Sequence, residues 1–561
     1  MTFVFDIEAE CLDCKARTPY RPGLNRCPAC GSEWLQAVYD YDAVRRRWLE
    51  ELAHRPFDLW RYHELLPVTD VPPPMAMGEG GTPLFPASHL SMMLKHPHLY
   101  IKDERQNPTS SFKDRQAAVT IAVLKEAGLT EVVVASTGNV AIAYSAYASR
   151  VGIKLWAFVS SSVPAEKMRE IAIYGTQVIK VTGTYDQTKQ VAARFAQERN
   201  LYLDRGARSI PTVESMKTLA FEIAEQMAYL HPASRYGGRR WVAPDWYVQA
   251  VSGGLGPLGV AKGFRELYEM GFIDHMPKLA IVQSAGCDPM VQAWEQGRAE
   301  PVDVVHPTTH ITTLGTGRPG RTYTLLYEYV KTYGGAFVRV TDEDAFRAMH
   351  MVAKMEGLSM EPAAAVAFAG VIQMIREGLI QPHETVVINC TGHTMPIESH
   401  LLGDRWAQEV TAEAALQEPH PGEGLLTALS AISPREHSKV LIVDDHEPAR
   451  ILLRRILQSL GDYHLLEAET GREALRLVRE HRPNLIILDL MMPDMDGFQV
   501  LEALKAKPET AAIPVIVVTA KHLTEAERQR IQRMARSLLF KGEFLSDEFF
   551  EEIRELLESG S

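Results

Sequence analysis

Short apolar runs that alternate with amphipathic helical stretches are the feature that most constrains this fold. Before residue 417 the strand-like runs include 132–136, 154–160, 247–253, 278–284 and 385–392. After residue 438, three further runs follow within about 120 residues: KVLIVDD, LIILDL and PVIVVTA. Buried strands separated by helices are typical of parallel sheets covered on both faces. The pattern therefore predicts α/β architecture twice over.

A stretch rich in proline and glycine separates the two regions. Residues 417–438 contain Pro419, Pro421, Pro434 and two glycines, and they interrupt the periodic pattern on both sides. This composition suits a partly extended connection between domains. At 561 residues the chain is also too long for one ordinary hydrophobic core, and roughly 150 residues per domain favours three or four domains.

Composition and charge exclude several classes of protein. The chain is 46% hydrophobic and 23% charged, which is typical of a globular protein, and its net charge of −12 offers no overall basic surface for nucleic acid or an anionic membrane. No apolar run approaches the roughly 18 residues that span a bilayer, and the N-terminus has acids where a signal peptide needs basic residues. We therefore expect a cytoplasmic protein with no nucleic-acid or membrane partner.

Four of the six cysteines form two closely spaced pairs near the N-terminus. Cys11-x-x-Cys14 and Cys27-x-x-Cys30 are separated by twelve residues. Four thiolates that converge tetrahedrally make a closed structural zinc site, so we predict bound Zn²⁺. Two disulfides, or four unrelated core cysteines, are the alternative. The other two cysteines lie far away in the sequence and are expected to pack in the core: Cys287 and Cys390.

Polar or glycine-rich turns stand at the carboxyl ends of several predicted strands. Residues 136–139 and 252–256 each follow a strand and precede a helix, and 391–393 ends another strand. Lys113 opens a helical run over 114–127. Ligands of open α/β sheets bind where strands end and helices begin, and glycines there let backbone N–H groups surround a phosphate. These segments predict a phosphate-containing ligand close to Lys113.

Over roughly the first 415 residues these motifs resemble threonine synthase and its relatives, pyridoxal-phosphate enzymes of fold type II (the tryptophan synthase β family). The matching stretches occur in the order of that family: the cysteine ribbon, GEGGTPL, IKDERQNPTSSFKDR, ASTGNVAIAYSAYA, VSGGLGPLG, MEPAAAVAFAG and NCTGH. The resemblance implies a two-lobed catalytic domain with pyridoxal 5′-phosphate as its cofactor.

The resemblance also implies a role for each matching residue. Lys113 would bind the cofactor aldehyde covalently and serve as general base once a substrate displaces it, Asn139 would contact the ring oxygen, and Thr391 would face the ring nitrogen. Ser111 and Thr137 would contact the substrate carboxylate, with capping or packing as the alternative. The glycine loop would hold the cofactor phosphate: Ser252, Gly253, Gly254, Leu255 and Gly256.

Two stretches depart from the threonine synthase pattern. The family commonly carries an Asn and an Arg, which help to recognise the substrate phosphate, shortly before a Lys-Thr pair, and here Ser209 and Thr212 stand before Lys217 and Thr218. TGHTMPIE also replaces the more usual Gly-Leu-Lys after TGH. An anionic substrate group would then be met by one of three other cations: Arg208, Lys167 or Arg169.

The C-terminal region places acids at the ends of apolar strands. Asp444, Asp445 and Asp489 would lie close together, and a divalent cation relieves the repulsion between them. Residues 437–558 resemble the receiver domain of response regulators along their whole length. That resemblance implies that Asp489 is the phosphoacceptor and that the three acids and the Met491 carbonyl hold Mg²⁺. Two further residues would contact the phosphoryl oxygens: Thr519 and Lys541.

The receiver region departs from its family beside the lysine. A proline usually follows that lysine and an aromatic residue lies three residues before it, whereas this chain has Gly542 and Leu538. The phosphorylation chemistry is expected to be retained, because the acids are present. The way in which phosphorylation is transmitted from such a domain stays open.

The two resemblances together predict the domain order. We expect a zinc ribbon with its lead-in segment (1–45), a two-lobed pyridoxal-phosphate domain of open α/β sheets (46–416), a linker (417–438) and a flavodoxin-like receiver (439–558). The receiver should be doubly wound around five parallel strands.

The expected activity is that of a threonine synthase, which converts O-phosphohomoserine and water to threonine and phosphate. Its small amino-acid substrate would be processed under the control of a sensor histidine kinase or a phosphotransfer protein. A homodimer is expected. The alternatives are β-replacement on phosphoserine, dehydration of serine or threonine, and a ligand-sensing signalling scaffold.

Overall fold

The computed structural model describes residues 7–69, 75–136, 138–160, 163, 165–182, 184–230, 241–393, 438–460, 463–521 and 523–540. Thr137, Lys541 and the linker up to residue 437 lie outside them. The described chain divides into two compact units. The larger contains the N-terminal ribbon and two further sheets, and the smaller contains the residues from 438 onward, grouped with Ser88–Pro97 and His350–Leu358.

Thirteen strands precede residue 394 within the described ranges. They are β1 (Glu8–Cys11), β2 (Arg17–Pro19), β3 (Leu35–Val38), β4 (Leu84–Pro86), β5 (Leu99–Asp103), β6 (Glu131–Ser136), β7 (Lys154–Ser160), β8 (Gln177–Val181), β9 (Tyr202–Leu203), β10 (Trp246–Ala250), β11 (Lys278–Ser284), β12 (Gly335–Val340) and β13 (Val386–Cys390).

The helices of the same region alternate with these strands. They are α1 (Tyr41–Glu51), α2 (Ser88–Leu94), α3 (Lys113–Glu126), α4 (Asn139–Val151), α5 (Ala165–Ile173), α6 (Tyr185–Arg199), α7 (Ile210–Leu230), α8 (Leu255–Glu269), α9 (Pro289–Glu295), α10 (Arg321–Tyr333), α11 (Asp342–Glu356) and α12 (Pro362–Arg376). None of the described helices is both long and apolar enough to cross a bilayer.

Three sheets make up the larger unit. The ribbon is antiparallel with the order β2-β1-β3, and a four-stranded parallel sheet has the order β8-β7-β6-β9. The six-stranded sheet has the order β12-β11-β10-β13-β5-β4, and only its edge strand β4 is antiparallel. Every residue of β5, β10 and β13 is buried, as expected for parallel strands covered on both faces.

A buried network of charges joins β5, α3 and α7. Arg115 donates two hydrogen bonds to Glu104, at 2.7 and 2.8 Å, and two to Glu222, at 2.6 and 2.8 Å. Lys102 also donates to Glu222, at 2.7 Å, and none of the four side chains is exposed to solvent. Two acids thus balance two bases, which is the condition under which buried charges are tolerated.

The smaller unit has the predicted flavodoxin-like architecture, which confirms the receiver fold. Its strands are β14 (Lys439–Val443), β15 (His464–Ala468), β16 (Leu485–Leu488), β17 (Val515–Thr519) and β18 (Ser537–Phe540), all parallel in the order β15-β14-β16-β17-β18. Its helices are α13 (Glu447–Leu460), α14 (Gly471–His481), α15 (Gly497–Lys505), α16 (Pro508–Ala511) and α17 (Glu525–Met534). This order reverses beside β14, so β14 and β16 diverge at a switch point where ligands bind.

Replacement of Arg115 by Met should destabilise the larger unit strongly. The change leaves Glu104 and Glu222 buried with too few donors, and we expect a loss of about 3–5 kcal/mol in the free energy of unfolding. Arg194→Met is the matched control, because the Arg194–Glu198 pair is exposed and its loss should leave the free energy of unfolding close to the wild-type value. All eight tryptophans precede residue 407, so their fluorescence during urea titration follows this part of the chain. Equal, small losses in both variants would contradict a structural role for the network.

Candidate functional site

Lys113 is the first residue of α3 and its side chain reaches a cavity between the two parallel sheets. Its Nζ lies 4.2 Å from the centroid of the Phe112 ring. Burial lowers the pKa of Lys113 to about 8, although the carboxylates of Asp204 and Glu361 oppose this shift. An amine with this pKa is neutral in about a tenth of molecules at pH 7, and a neutral amine can act as a nucleophile or accept a proton.

The preceding loop is held in place by the end of β13. The Phe112 N–H donates to the Thr391 carbonyl at 2.9 Å, and the His393 N–H donates to the Ser110 carbonyl at 2.9 Å. Thr391 is buried and lines the same cavity as Lys113. The Ser111 hydroxyl accepts the Lys113 N–H at 3.3 Å and is buried, and it is not among the residues that line this cavity. The Ser111 hydroxyl thus contacts the backbone at the start of α3.

The glycine loop forms the opposite wall, at the start of α8. Ser252, Gly253, Gly254, Leu255 and Gly256 all line the cavity. Gly254 has φ +84°, and a Cβ there would come within 3.0 Å or less of atoms from three side chains. A Cβ on Gly256 would lie 2.2 Å from the Gln249 amide nitrogen. The loop is therefore restricted to glycine at these two positions, and the first N–H groups of α8 remain free of intrahelical partners.

Asn139 begins α4 and contacts an acid that the sequence reasoning left without a role. Its amide donates to both oxygens of Glu361, at 2.9 and 3.0 Å. Lys167 Nζ lies 3.8 Å from the same carboxylate, and Glu361 and Lys167 are both buried. Glu361 is the only acid among the described residues that line the cavity. The sequence feature that could have indicated Glu361 is its position directly before Pro362, which opens the alanine-rich helix α12.

The donor set of this cavity fits pyridoxal phosphate. The group needs N–H donors for its phosphate, a lysine that can be neutral for its aldehyde, and a hydrogen-bonding partner for its ring oxygen. The start of α8, Lys113 and Asn139 offer these in turn, and the glycine backbone leaves room that a Cβ would fill. All of the residues that the sequence predicts to bind the cofactor line this cavity.

A second pocket opens beside this cavity and is rich in cations. The two pockets share Lys113, Tyr185 and part of the glycine loop. Asp204 is the only acid among the described residues that line the second pocket. We call it the cation pocket, because five basic side chains line it besides Lys113: Lys189, Arg205, Arg208, Arg318 and Arg321. Each of the five also forms an ion pair with an acid outside the pocket lining: Asp186, Glu33, Asp303 or Asp13. An anion would therefore bind through the N–H donors that these pairs leave free.

The positions aligned with the family's Asn and Arg lie outside both pockets. Ser209 accepts the Arg205 N–H at 3.1 Å, and Thr212, which is fully buried, donates to Asp204 at 3.2 Å. Lys217 is also fully buried, at 2.5 Å from Glu214 and 3.0 Å from Glu266. The three alternative cations lie in different places. Arg208 lines the cation pocket, Lys167 contacts Glu361, and Arg169 is exposed on α5.

The four N-terminal cysteines meet in one cluster. Their sulfur atoms all lie within 4.8 Å of one another, and the Cys11–Cys30 and Cys14–Cys27 pairs are each 3.6 Å apart. A tetrahedral zinc site with bonds of about 2.3 Å places its sulfurs about 3.8 Å apart. All six cysteines are free thiols, and Cys287 and Cys390 are buried. The cluster therefore fits a structural zinc ion.

The three receiver acids also meet, at the carboxyl ends of β14 and β16. Carboxylate oxygens of Asp444, Asp445 and Asp489 lie within 4.8 Å of one another, and Asp445 is the exposed member. The Met491 N–H donates to Asp489 at 3.2 Å, and Thr519 is fully buried at the end of β17. Clustered carboxylates of this kind fit Mg²⁺.

Known proteins are similar to the catalytic part of the chain. The chain is 32% identical over 386 residues to the threonine synthase of Methanocaldococcus jannaschii, covering 66% of this chain and 92% of that protein. It is 30% identical to the threonine synthase of Methanosarcina acetivorans, covering 69% and 91%. The processed form of threonine deaminase isoform 2 from Solanum lycopersicum is a structural neighbour, with a TM-score of 0.48 and 21% identity over 57% of this chain and 81% of that chain.

Family models match both parts of the chain. Residues 75–392 match the model described as pyridoxal-phosphate dependent enzyme, which spans more than half of the chain. Residues 440–554 match the response regulator receiver domain. With the Lys113 cavity and the acidic cluster in place, the chain belongs to the pyridoxal-phosphate dependent enzyme family, as a threonine synthase-like lyase that carries a C-terminal receiver domain.

Proposed function

We propose that the enzyme converts O-phosphohomoserine and water to threonine and phosphate. The observation that carries this proposal is the cation pocket, which adjoins the Lys113 cavity and shares part of its wall. A substrate whose amino group reaches Lys113 can extend an anionic phosphate toward five basic side chains. The similarity to threonine synthases supports the same reaction.

The residues around the cavity take complementary roles in this proposal. Bound pyridoxal phosphate supplies an electron sink that stabilises negative charge on substrate carbon. Lys113 moves protons at Nζ, because its lowered pKa of about 8 leaves a share of the amine neutral. Asn139 donates to Glu361 and Lys167 lies beside its carboxylate, so the acid that lines the described cavity is held in one position.

Two related reactions differ in whether their substrate carries a phosphate that the cation pocket could bind. β-Replacement on phosphoserine also uses a phosphorylated substrate, whereas dehydration of serine or threonine brings no anionic side-chain group to the five basic side chains. The pocket therefore favours a phosphorylated substrate over a hydroxyl amino acid. Between the two phosphorylated substrates, likeness to the threonine synthases favours phosphohomoserine.

A substrate panel tests this function. With the holoenzyme we expect phosphate and threonine from O-phosphohomoserine, and kcat/KM should exceed that for homoserine by at least about a hundredfold, since homoserine cannot form the hydrogen bonds that a phosphate forms with the basic side chains. Phosphate and ammonia are measured separately for each substrate. Phosphate from phosphoserine alone would indicate the replacement reaction, and ammonia from serine or threonine without phosphate dependence would indicate a dehydratase.

We further propose that Asp489 accepts a phosphoryl group from a sensor histidine kinase or a phosphotransfer protein. Support comes from the clustering of its carboxylate with those of Asp444 and Asp445, which would hold the Mg²⁺ that such transfer needs. Thr519, at the end of β17, is a hydroxyl donor on the neighbouring strand. Phosphorylation then regulates the lyase in the same chain.

Labelling by acetyl phosphate tests the receiver site. We expect Mg²⁺-dependent labelling of the wild-type chain and labelling below about 5% of that level in Asp489→Asn, because the acceptor oxygen is lost. Asp494→Asn is the matched control: Asp494 lies in the same loop with φ +67°, a conformation that asparagine also adopts. Intact protein mass gives the stoichiometry. Equal labelling of Asp489→Asn and wild type would overturn the assignment.

A further inference from the structure

The cysteine ribbon contributes a side chain to the cation pocket. Trp34, which lies directly before β3, lines that pocket although the ribbon has no part in the cofactor cavity. The guanidinium carbon of Arg321 lies 5.6 Å from the centroid of the Trp34 ring. Within this distance an indole attracts a cation, because the face of the ring is electron-rich. The ribbon thus contacts a cation that faces the substrate side of the enzyme.

Hydrogen bonds tie Trp34 to the first cysteine knuckle. The Leu12 N–H, between Cys11 and Cys14, donates to the Trp34 carbonyl at 2.9 Å, and the Trp34 N–H donates to the Ser32 hydroxyl at 3.2 Å. Asp13 of the same knuckle forms an ion pair with Arg321. The backbone that builds the thiol cluster therefore holds Trp34 and Arg321 side by side.

The acids and the indole act on the arginines in different ways. Asp13 pairs with Arg321, and Glu33 pairs with Arg205 and Arg208 at 2.6 and 2.8 Å, so these acids offset the positive charge of the pocket. Trp34 contacts the guanidinium without carrying a charge. A cation–π contact restricts the arginine without neutralising its charge.

We propose that Trp34 is a positioning residue for the anionic group of the substrate, and that the ribbon thereby sets anion affinity in the cation pocket. The proposal rests on the proposed function in one respect, since the anion is taken to be a phosphate monoester. It assigns the N-terminal ribbon a part in substrate recognition beyond its own folding. A metal held by the four thiols would support Trp34 through the Leu12 and Asp13 knuckle.

Binding of inorganic phosphate to the holoenzyme tests this role. In Trp34→Ala we expect phosphate affinity to fall about fivefold to tenfold, because the guanidinium loses its cation–π partner. L-Threonine, which lacks the phosphate, should bind within about twofold of wild type, since cofactor contacts are unchanged. Trp34→Phe keeps an aromatic face and should bind phosphate close to the wild-type level. Cofactor absorbance and metal content report whether each variant is folded and loaded.

A double-mutant cycle shows whether Trp34 acts through Arg321. Arg321→Gln should weaken phosphate binding by itself, and Trp34→Ala should add no further loss in that background. Unchanged phosphate affinity in Trp34→Ala, or additive losses in the double variant, would overturn the proposal while leaving the function intact. Parallel loss of phosphate, threonine and cofactor would indicate a purely structural role and would also overturn it. A wild-type enzyme that turns over phosphohomoserine without binding phosphate would contradict the inference alone, whereas no turnover would contradict the function.

Discussion

The burial of four mutually paired charges is the constraint on which the catalytic part of this protein depends. Arg115 and Lys102 are held against Glu104 and Glu222 with no exposure to solvent. Desolvated charges are stable only when every partner is in place, so the network allows one arrangement of β5, α3 and α7. Since Arg115 lies two residues after Lys113, this arrangement also sets where α3 begins and where its first lysine is directed.

The cavity follows from that placement together with the parallel sheets. The ends of β6, β10 and β13 lead into Asn139, the glycine loop and Thr391, and all of these reach one cavity with Lys113. The strand ends of one sheet, at β6, and of the other, at β10 and β13, meet at this cavity, where helix N-termini add partial positive charge. An anionic cofactor group is favoured there, and burial keeps the amine of Lys113 available for chemistry.

The local sequence pattern was sufficient to predict strands that are apolar along most of their length. The runs 154–160 and 278–284 match β7 and β11, and the cysteine pairs and receiver acids form the clusters that their spacing predicts. Pairing between charged residues that are far apart in the sequence could not be predicted from local pattern. Glu361 contacts Asn139, which is 222 residues away in the sequence, and Arg321 pairs with Asp13, which is 308 residues away. Thr212 likewise is buried against Asp204, because folding of α7 turns it away from the pockets.

The proposed chemistry depends on Lys113 holding the cofactor at the start of α3. Borohydride reduction of the holoenzyme, followed by digestion and peptide mass mapping, tests it directly, because reduction fixes the cofactor to the amine that holds it. We predict one modified peptide, with the added mass on Lys113. Modification of Lys167 or of another lysine, with Lys113 unmodified, would contradict the assignment of Lys113 as the residue that binds the cofactor.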